Sequence, residues 1–220
     1  MIDQISVRRQ VLGGLSVLVI AGVVGWAMWS WQQGKTPQGT SEKNPLEGLK
    51  VFGQVPDFSL TERSGRRVTL ADLKEKIWIA NFIYTHCPDT CPIQSAQMRE
   101  LQTEFMSQDK LRLVSITVDP KRDTPKVLSK YAGRFGADPE RWLFLTGEKE
   151  AIYRLAQGGF LLGAAEIPKA KRPESGATHT HSPRFVLIDP KAQIRGYYIS
   201  TDAEAMARLR RDLKTLLLGE

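Results

Sequence analysis

The longest uninterrupted apolar stretch covers residues 11–31, VLGGLSVLVIAGVVGWAMWSW, with no charged residue in 21 positions. About 20 apolar residues cross a bilayer as one helix, and this run lacks the polar face of an amphipathic core helix. Arg8 and Arg9 precede it, and Trp26, Trp29 and Trp31 gather at its far end like an interfacial aromatic belt. The pattern predicts a cytoplasmic N-terminus (residues 1–10) and one uncleaved transmembrane helix (residues 11–31). The positive-inside rule places everything beyond on the other side of the membrane. Residues 32–50, QQGKTPQGTSEKNPLEGLK, are rich in Gly, Pro, Ser, Thr and charge and read as a flexible linker. A folded domain is expected over residues 51–220.

Within that domain the periodicity changes repeatedly. Strand patterns at residues 57–61 and 67–70 flank the turn-like Glu62-Arg63-Ser64-Gly65 and predict an N-terminal β-hairpin. Residues 77–85, IWIANFIYT, are a nearly continuous run of β-branched and aromatic side chains, as a strand buried on both faces reads. A helix is expected from about residue 88 to 106, with Ile93, Met98, Leu101 and Phe105 as its apolar stripe. Residues 111–119, LRLVSITVD, predict a second buried strand. Thr124-Pro125 then supplies an N-cap with proline in the first helical position, opening a helix that runs towards Phe135-Gly136. A short strand at 142–145, a helix at 148–157, a strand within 160–167 and a polar loop over 168–178 follow. Residues 184–189 and 194–200 read as paired strands. The last helix opens on a Thr201-x-x-Glu204 capping box and buries Met206, Leu209, Leu213 and Leu216. The succession β-α-β-α with a closing hairpin and helix predicts an α/β domain with a mainly parallel sheet. Its order is that of a thioredoxin-like fold with an N-terminal β-hairpin extension, preceded by one transmembrane helix.

Composition changes this picture little. With 41% hydrophobic and 25% charged residues the chain is that of a folded protein. The net charge of +7 is scattered along the sequence as a solvated surface. No nucleic-acid module is recognisable, so nucleic acid is excluded as a partner.

The chemistry resides in the chain's two cysteines, Cys87 and Cys91, which stand in THCPDTCP where the central strand meets its helix. Four residues make about one helical turn, so both sulfurs can share a face, and a helix N-terminus favours thiolate. A purely structural disulfide closing so short a ring would contribute only about 2 kcal/mol to a domain with its own core. As a metal site, two thiolates need a third ligand, and the chain has three histidines: His86, His179 and His181. Structural zinc takes four closed ligands; copper accepts fewer and suits thiolate with imidazole. His179 and His181 would face the same way if their segment were extended, whereas His86 reads as a neighbour of Cys87.

FIYTHCPDTCP (residues 82–92), VDPKRDTP (118–125) and HSPRFVLID (181–189) together resemble the SCO/SenC copper-binding proteins of cytochrome c oxidase assembly. The resemblance implies a membrane-anchored metallochaperone holding Cu(I) or Cu(II) through Cys87, Cys91 and His181. It also implies delivery to the binuclear copper centre of the oxidase, with subunit II or another exported copper protein as client and other copper carriers as partners. The location implied is a bacterial inner membrane, with the C-terminal domain in the periplasm. Thr180 stands where that family often carries an acidic residue before the ligand histidine. The rival reading is a thiol-disulfide oxidoreductase in which Cys87 and Cys91 are the redox-active pair. That reading draws on Pro183, which resembles the proline that faces the dithiol in thioredoxin-like reductases.

Overall fold

A computed structural model of the chain describes Trp29 and residues 49–219. The expected cytoplasmic segment, the transmembrane helix apart from Trp29, and the linker before residue 49 lie outside the described residues. In chain order the regular elements are strands β1 (Gly53–Gln54), β2 (Ser59–Glu62), β3 (Arg67–Thr69) and β4 (Ile77–Ile83), helix α1 (Thr90–Glu104), strand β5 (Leu111–Thr117) and helix α2 (Pro125–Arg134). They continue as β6 (Trp142–Thr146), α3 (Lys149–Arg154), β7 (Ala164–Glu166), β8 (His179–His181), β9 (Arg184–Ile188), β10 (Gln193–Ile199) and α4 (Ala203–Leu218).

All seven residues of β4 are buried, as its nearly continuous apolar run requires of a central strand. It pairs in parallel with β5, and β5 with β6, through the crossovers that α1 and α2 supply. The antiparallel β9 covers the other side of β4. The eight-stranded sheet runs β1-β10-β9-β4-β5-β6-β2-β3, so the expected hairpin β2–β3 extends the sheet at its β6 edge. Gly65 in the hairpin turn has φ +89°, a conformation that costs a glycine nothing. This mixed α/β sheet flanked by helices is a thioredoxin-like fold.

Three local expectations are corrected. Ile93 is not part of the α1 stripe: it is 46% exposed, because the buried face is set by Cys91, Gln94, Ser95, Met98 and Leu101, and Ile93 projects away from it. The strand expected within 160–167 shrinks to β7. A wide π turn, Leu155–Gly159, prolongs α3, and Leu161 then takes φ +53°, which breaks strand geometry although Phe160, Leu162 and Ala164 are still buried. The α4 cap is Asp202 rather than Thr201: its carboxylate accepts from the N–H groups of Glu204 (2.8 Å) and Ala205 (3.0 Å). The extended form on which a shared facing of His179 and His181 depends is present: β8 pairs antiparallel with β7, setting His181 opposite Ala164 and His179 opposite Glu166.

Candidate metal centre

The centre lies beyond the C-terminal ends of β4 and β5, where open α/β sheets place their sites. The chain leaves β4 at Tyr84 and makes a turn in which the Cys87 N–H donates to the Tyr84 carbonyl (3.1 Å). It then enters α1 with Cys91 in the first turn. From the opposite side the β7–β8 hairpin brings in the histidines. Cys87, Cys91 and His181 converge so that one donor atom from each lies within 4.8 Å of the others. His181 Nε2 sits 3.0 Å from Cys91 Sγ across 90 residues of sequence. Both cysteines are free thiols, Cys91 buried and Cys87 half-buried.

Burial divides the labour between the sulfurs. Cys91 is pushed up, first by its burial and then by the neighbouring Cys87 sulfur, so it keeps its proton. Cys87 is held well below the ordinary thiol value. The largest cause is the hydrogen bond from the Cys91 side chain; burial opposes it, and His181 and the N–H groups of Cys91 and Asp89 at the start of α1 add to it. The result is a half-exposed thiolate beside a buried thiol. The His181 Nδ1 lies 3.3 Å from the Ser182 carbonyl, which can only accept, so the ring is held with Nε2 turned towards the sulfurs. A carbonyl thus does the orienting that an acidic neighbour would do, since Thr180 on the other face of β8 donates instead to the Ala165 carbonyl (3.3 Å).

The other two histidines are turned elsewhere. His179 shares the His181 face of β8 as alternation requires, but its Nδ1 is 2.9 Å from Thr178 Oγ1 and 3.9 Å from Asp119 Oδ2. Its burial lowers its pKa against the raising influence of Asp119. His86 is exposed, and its Nδ1 lies 3.1 Å from Thr85 Oγ1. The Ser182–Pro183 bond is trans, so Pro183 simply precedes β9.

Two residues that the sequence patterns did not single out complete the surroundings. Tyr84, 2% exposed, sits against both histidines, with ring centroids 5.3 Å from His179 and 5.7 Å from His181, the latter edge-on at 86°. Burial, and after it Cys87, pushes its phenol up, so it stays neutral. In the sequence it is hidden in an apolar run that reads as strand. Asp123 is fully buried behind the cysteine turn. Its motif, VDPKRDTP, was visible, but its partner was not.

Two thiolate-capable sulfurs and one imidazole lone pair form a soft donor set with an open side at Cys87, suited to copper and one ligand short of a structural zinc site. The SCO1/SenC family model matches residues 50–217. A SCO1 protein homolog of Bacillus subtilis (strain 168) is 32% identical over 145 residues, which is 64% of this chain and 71% of the relative. Two solved structures share the fold. BsSco, a member of the Sco family of cytochrome c oxidase assembly proteins with a disulfide switch, matches at TM-score 0.64 and 29% identity over 80% of this chain and 96% of its own. Bradyrhizobium japonicum ScoI with copper bound matches at TM-score 0.60 and 28% identity over 72% and 99%. With the fold, the motifs and a match spanning the whole cysteine-histidine cluster in agreement, the chain belongs to the SCO1/SenC family.

Proposed function

We propose that the chain is a membrane-anchored copper chaperone that carries one copper ion on Cys87, Cys91 and His181 and assists assembly of the binuclear copper centre of cytochrome c oxidase. The observation that carries this reading is the convergence of the three donors, with His181 Nε2 3.0 Å from Cys91 Sγ. Family membership, the copper held by a related ScoI and the oxidase-assembly role of the family of BsSco support it. The apolar span at residues 11–31 supports single-pass anchoring in a bacterial inner membrane, with the domain in the periplasm. Clients are oxidase subunit II or another exported copper protein, and other copper carriers load the site. Cys91 and His181 retain the cargo from the buried side. Cys87, half-exposed, is the ligand that a client thiolate displaces first.

The test is anaerobic copper titration of the purified full chain. One copper per chain is expected, lost in Cys87→Ala and Cys91→Ala, and bound at least about tenfold more weakly in His181→Ala. Unchanged affinity in His181→Ala, with loss in His179→Ala, would remove His181 from the ligand set.

The asymmetry of the sulfurs favours a second use, thiol-disulfide exchange. The half-exposed Cys87 thiolate attacks a client disulfide, forming a mixed disulfide and releasing the first client thiol; Cys91 gives up its proton and attacks the Cys87 sulfur, expelling the second, so the client disulfide is reduced to two thiols as Cys87–Cys91 becomes a disulfide. Reduction of a client disulfide that survives in His181→Ala and disappears in Cys87→Ser would establish it.

A further inference from the structure

Beyond the end of β4 the sheet no longer holds the chain. The last backbone bond between the two central strands is Val118 N–H to the Ile83 carbonyl (2.8 Å), and Thr85 lies past it, two residues before Cys87. What holds Thr85 is a side chain from the stretch VDPKRDTP (residues 118–125). Asp123 Oδ2 accepts from the Thr85 N–H (3.0 Å), and Oδ1 accepts from the Thr85 hydroxyl (2.5 Å). Oδ2 also accepts from the Thr117 hydroxyl (2.6 Å) at the end of β5. The carboxylate is itself fixed, since the Asp123 N–H donates to the Asp119 carbonyl (2.9 Å) and the Asp119 N–H donates to Thr117 Oγ1 (3.0 Å).

Asp123 is 0% exposed, and among the described residues no cation is paired with it. Three neutral donors therefore carry the whole task of solvating a buried charge, and two of the three belong to the residue that leads into the cysteine turn. The geometry also settles the ring of His86. The Thr85 hydroxyl spends its proton on Asp123, so it accepts from His86 Nδ1 (3.1 Å), which ties that ring to the turn.

We propose that Asp123 is a positioning residue for the metal centre: by gripping both donors of Thr85 it fixes the turn that presents Cys87 to Cys91 and His181. The proposal rests on the copper reading for one of its two site measurements and is independent of it for the other. An asparagine cannot substitute, because it offers one acceptor oxygen where two are used and turns an NH2 group towards the threonine donors.

Four variants of the full chain test it: Asp123→Asn, Thr85→Val, Thr85→Ser and Thr117→Val. The measurements are the rate of Cys87 carboxamidomethylation by iodoacetamide in the metal-free protein, the copper dissociation rate into a chelator, and the thermal midpoint. Asp123→Asn and Thr85→Val are expected to change the Cys87 alkylation rate and to speed copper loss by about tenfold, the size of effect that outer partners of metal ligands have. Thr85→Ser restores both to wild-type values. Thr117→Val removes a donor from the same carboxylate but leaves both Thr85 bonds, so it lowers the midpoint and moves neither site measurement. Equal effects of Thr117→Val and Thr85→Val on the site would reduce Asp123 to a general buried-charge role and overturn the proposal. So would wild-type behaviour of Thr85→Val. Should Asp123→Asn fail to fold, the two Thr85 variants decide the matter. Failure of the wild-type chain to retain copper would defeat the copper reading while leaving the alkylation measurement in force.

Discussion

Loading the site with copper provides the sharpest check on its electrostatics, through the number of protons released. Both sulfurs must be thiolates to bind the metal, so each proton still present in the free protein is expelled. In this structure Cys87 has already lost its proton and Cys91 retains it. The difference between the two free-protein thiols therefore sets the count. At pH 7.5, above the ordinary imidazole range, copper binding therefore releases about one proton per chain, whereas two unperturbed thiols would release nearly two. The sign follows from the shifts. Cys87, lowered, is ionised throughout the window from its depressed value up to the ordinary thiol value of 9.0, while Cys91, raised, is protonated throughout it. Between about pH 7 and 9 apparent affinity consequently falls about tenfold for each unit that pH drops, not a hundredfold. Calorimetric titration in buffers of different ionisation enthalpy reads the proton number directly as a slope. A slope near two would show that the Cys91 sulfhydryl and the start of α1 do not stabilise the Cys87 thiolate; a slope near zero would show that burial does not hold the proton on Cys91.

The remaining predictions concern reactivity and packing. Brief treatment of the metal-free chain with iodoacetamide at neutral pH, followed by peptide mass analysis, labels Cys87 and spares Cys91, because only Cys87 is both ionised and accessible; equal labelling would contradict the assigned burial. Phe160→Ala lowers unfolding stability by about 3–5 kcal/mol in denaturant titration. The ring is fully buried edge-on against Trp78 (5.9 Å) and Phe82 (5.4 Å), and a loss under about 1 kcal/mol would mean that the π turn before it relaxes to fill the space. Gly196→Ala in β10 costs about 1–3 kcal/mol by the same assay. A Cβ there would collide with the Tyr198 ring, whose hydroxyl donates to Asp212 (2.6 Å) on α4; wild-type stability would show that the ring shifts freely.

Local patterning made most of the scaffold legible. β4 and β5 are rich in β-branched and aromatic residues because both of their faces are covered, and no partner has to be known to read them. The dicysteine turn at the head of α1 is likewise a local fact: spacing puts two sulfurs one turn apart wherever the helix packs. Even the choice of His181 could be carried by motif resemblance. Other features depended on what lies opposite in space. Ile93 belongs to a helical stripe on paper, but the sheet buries the face through Cys91 and Ser95 instead. Leu161 alternates like a strand residue while its backbone turns left-handed. β8 is three residues of polar sequence whose extended form comes from its β7 partner.

The sequence by itself thus placed a pair of soft donors at a strand-to-helix junction, because that follows from residue type, spacing and period, and left His179 and His181 as candidates for the third donor, with motif resemblance favouring His181. Only the tertiary structure decided which sulfur carries the charge, since that depends on burying Cys91 and leaving Cys87 half-open. It also decided that His179 turns to Thr178 and Asp119 while His181 faces the sulfurs, and that Asp123 reaches back 38 residues to hold Thr85. Ring direction, proton position and a buried carboxylate's partners are set by neighbours remote in sequence, and no local pattern encodes them.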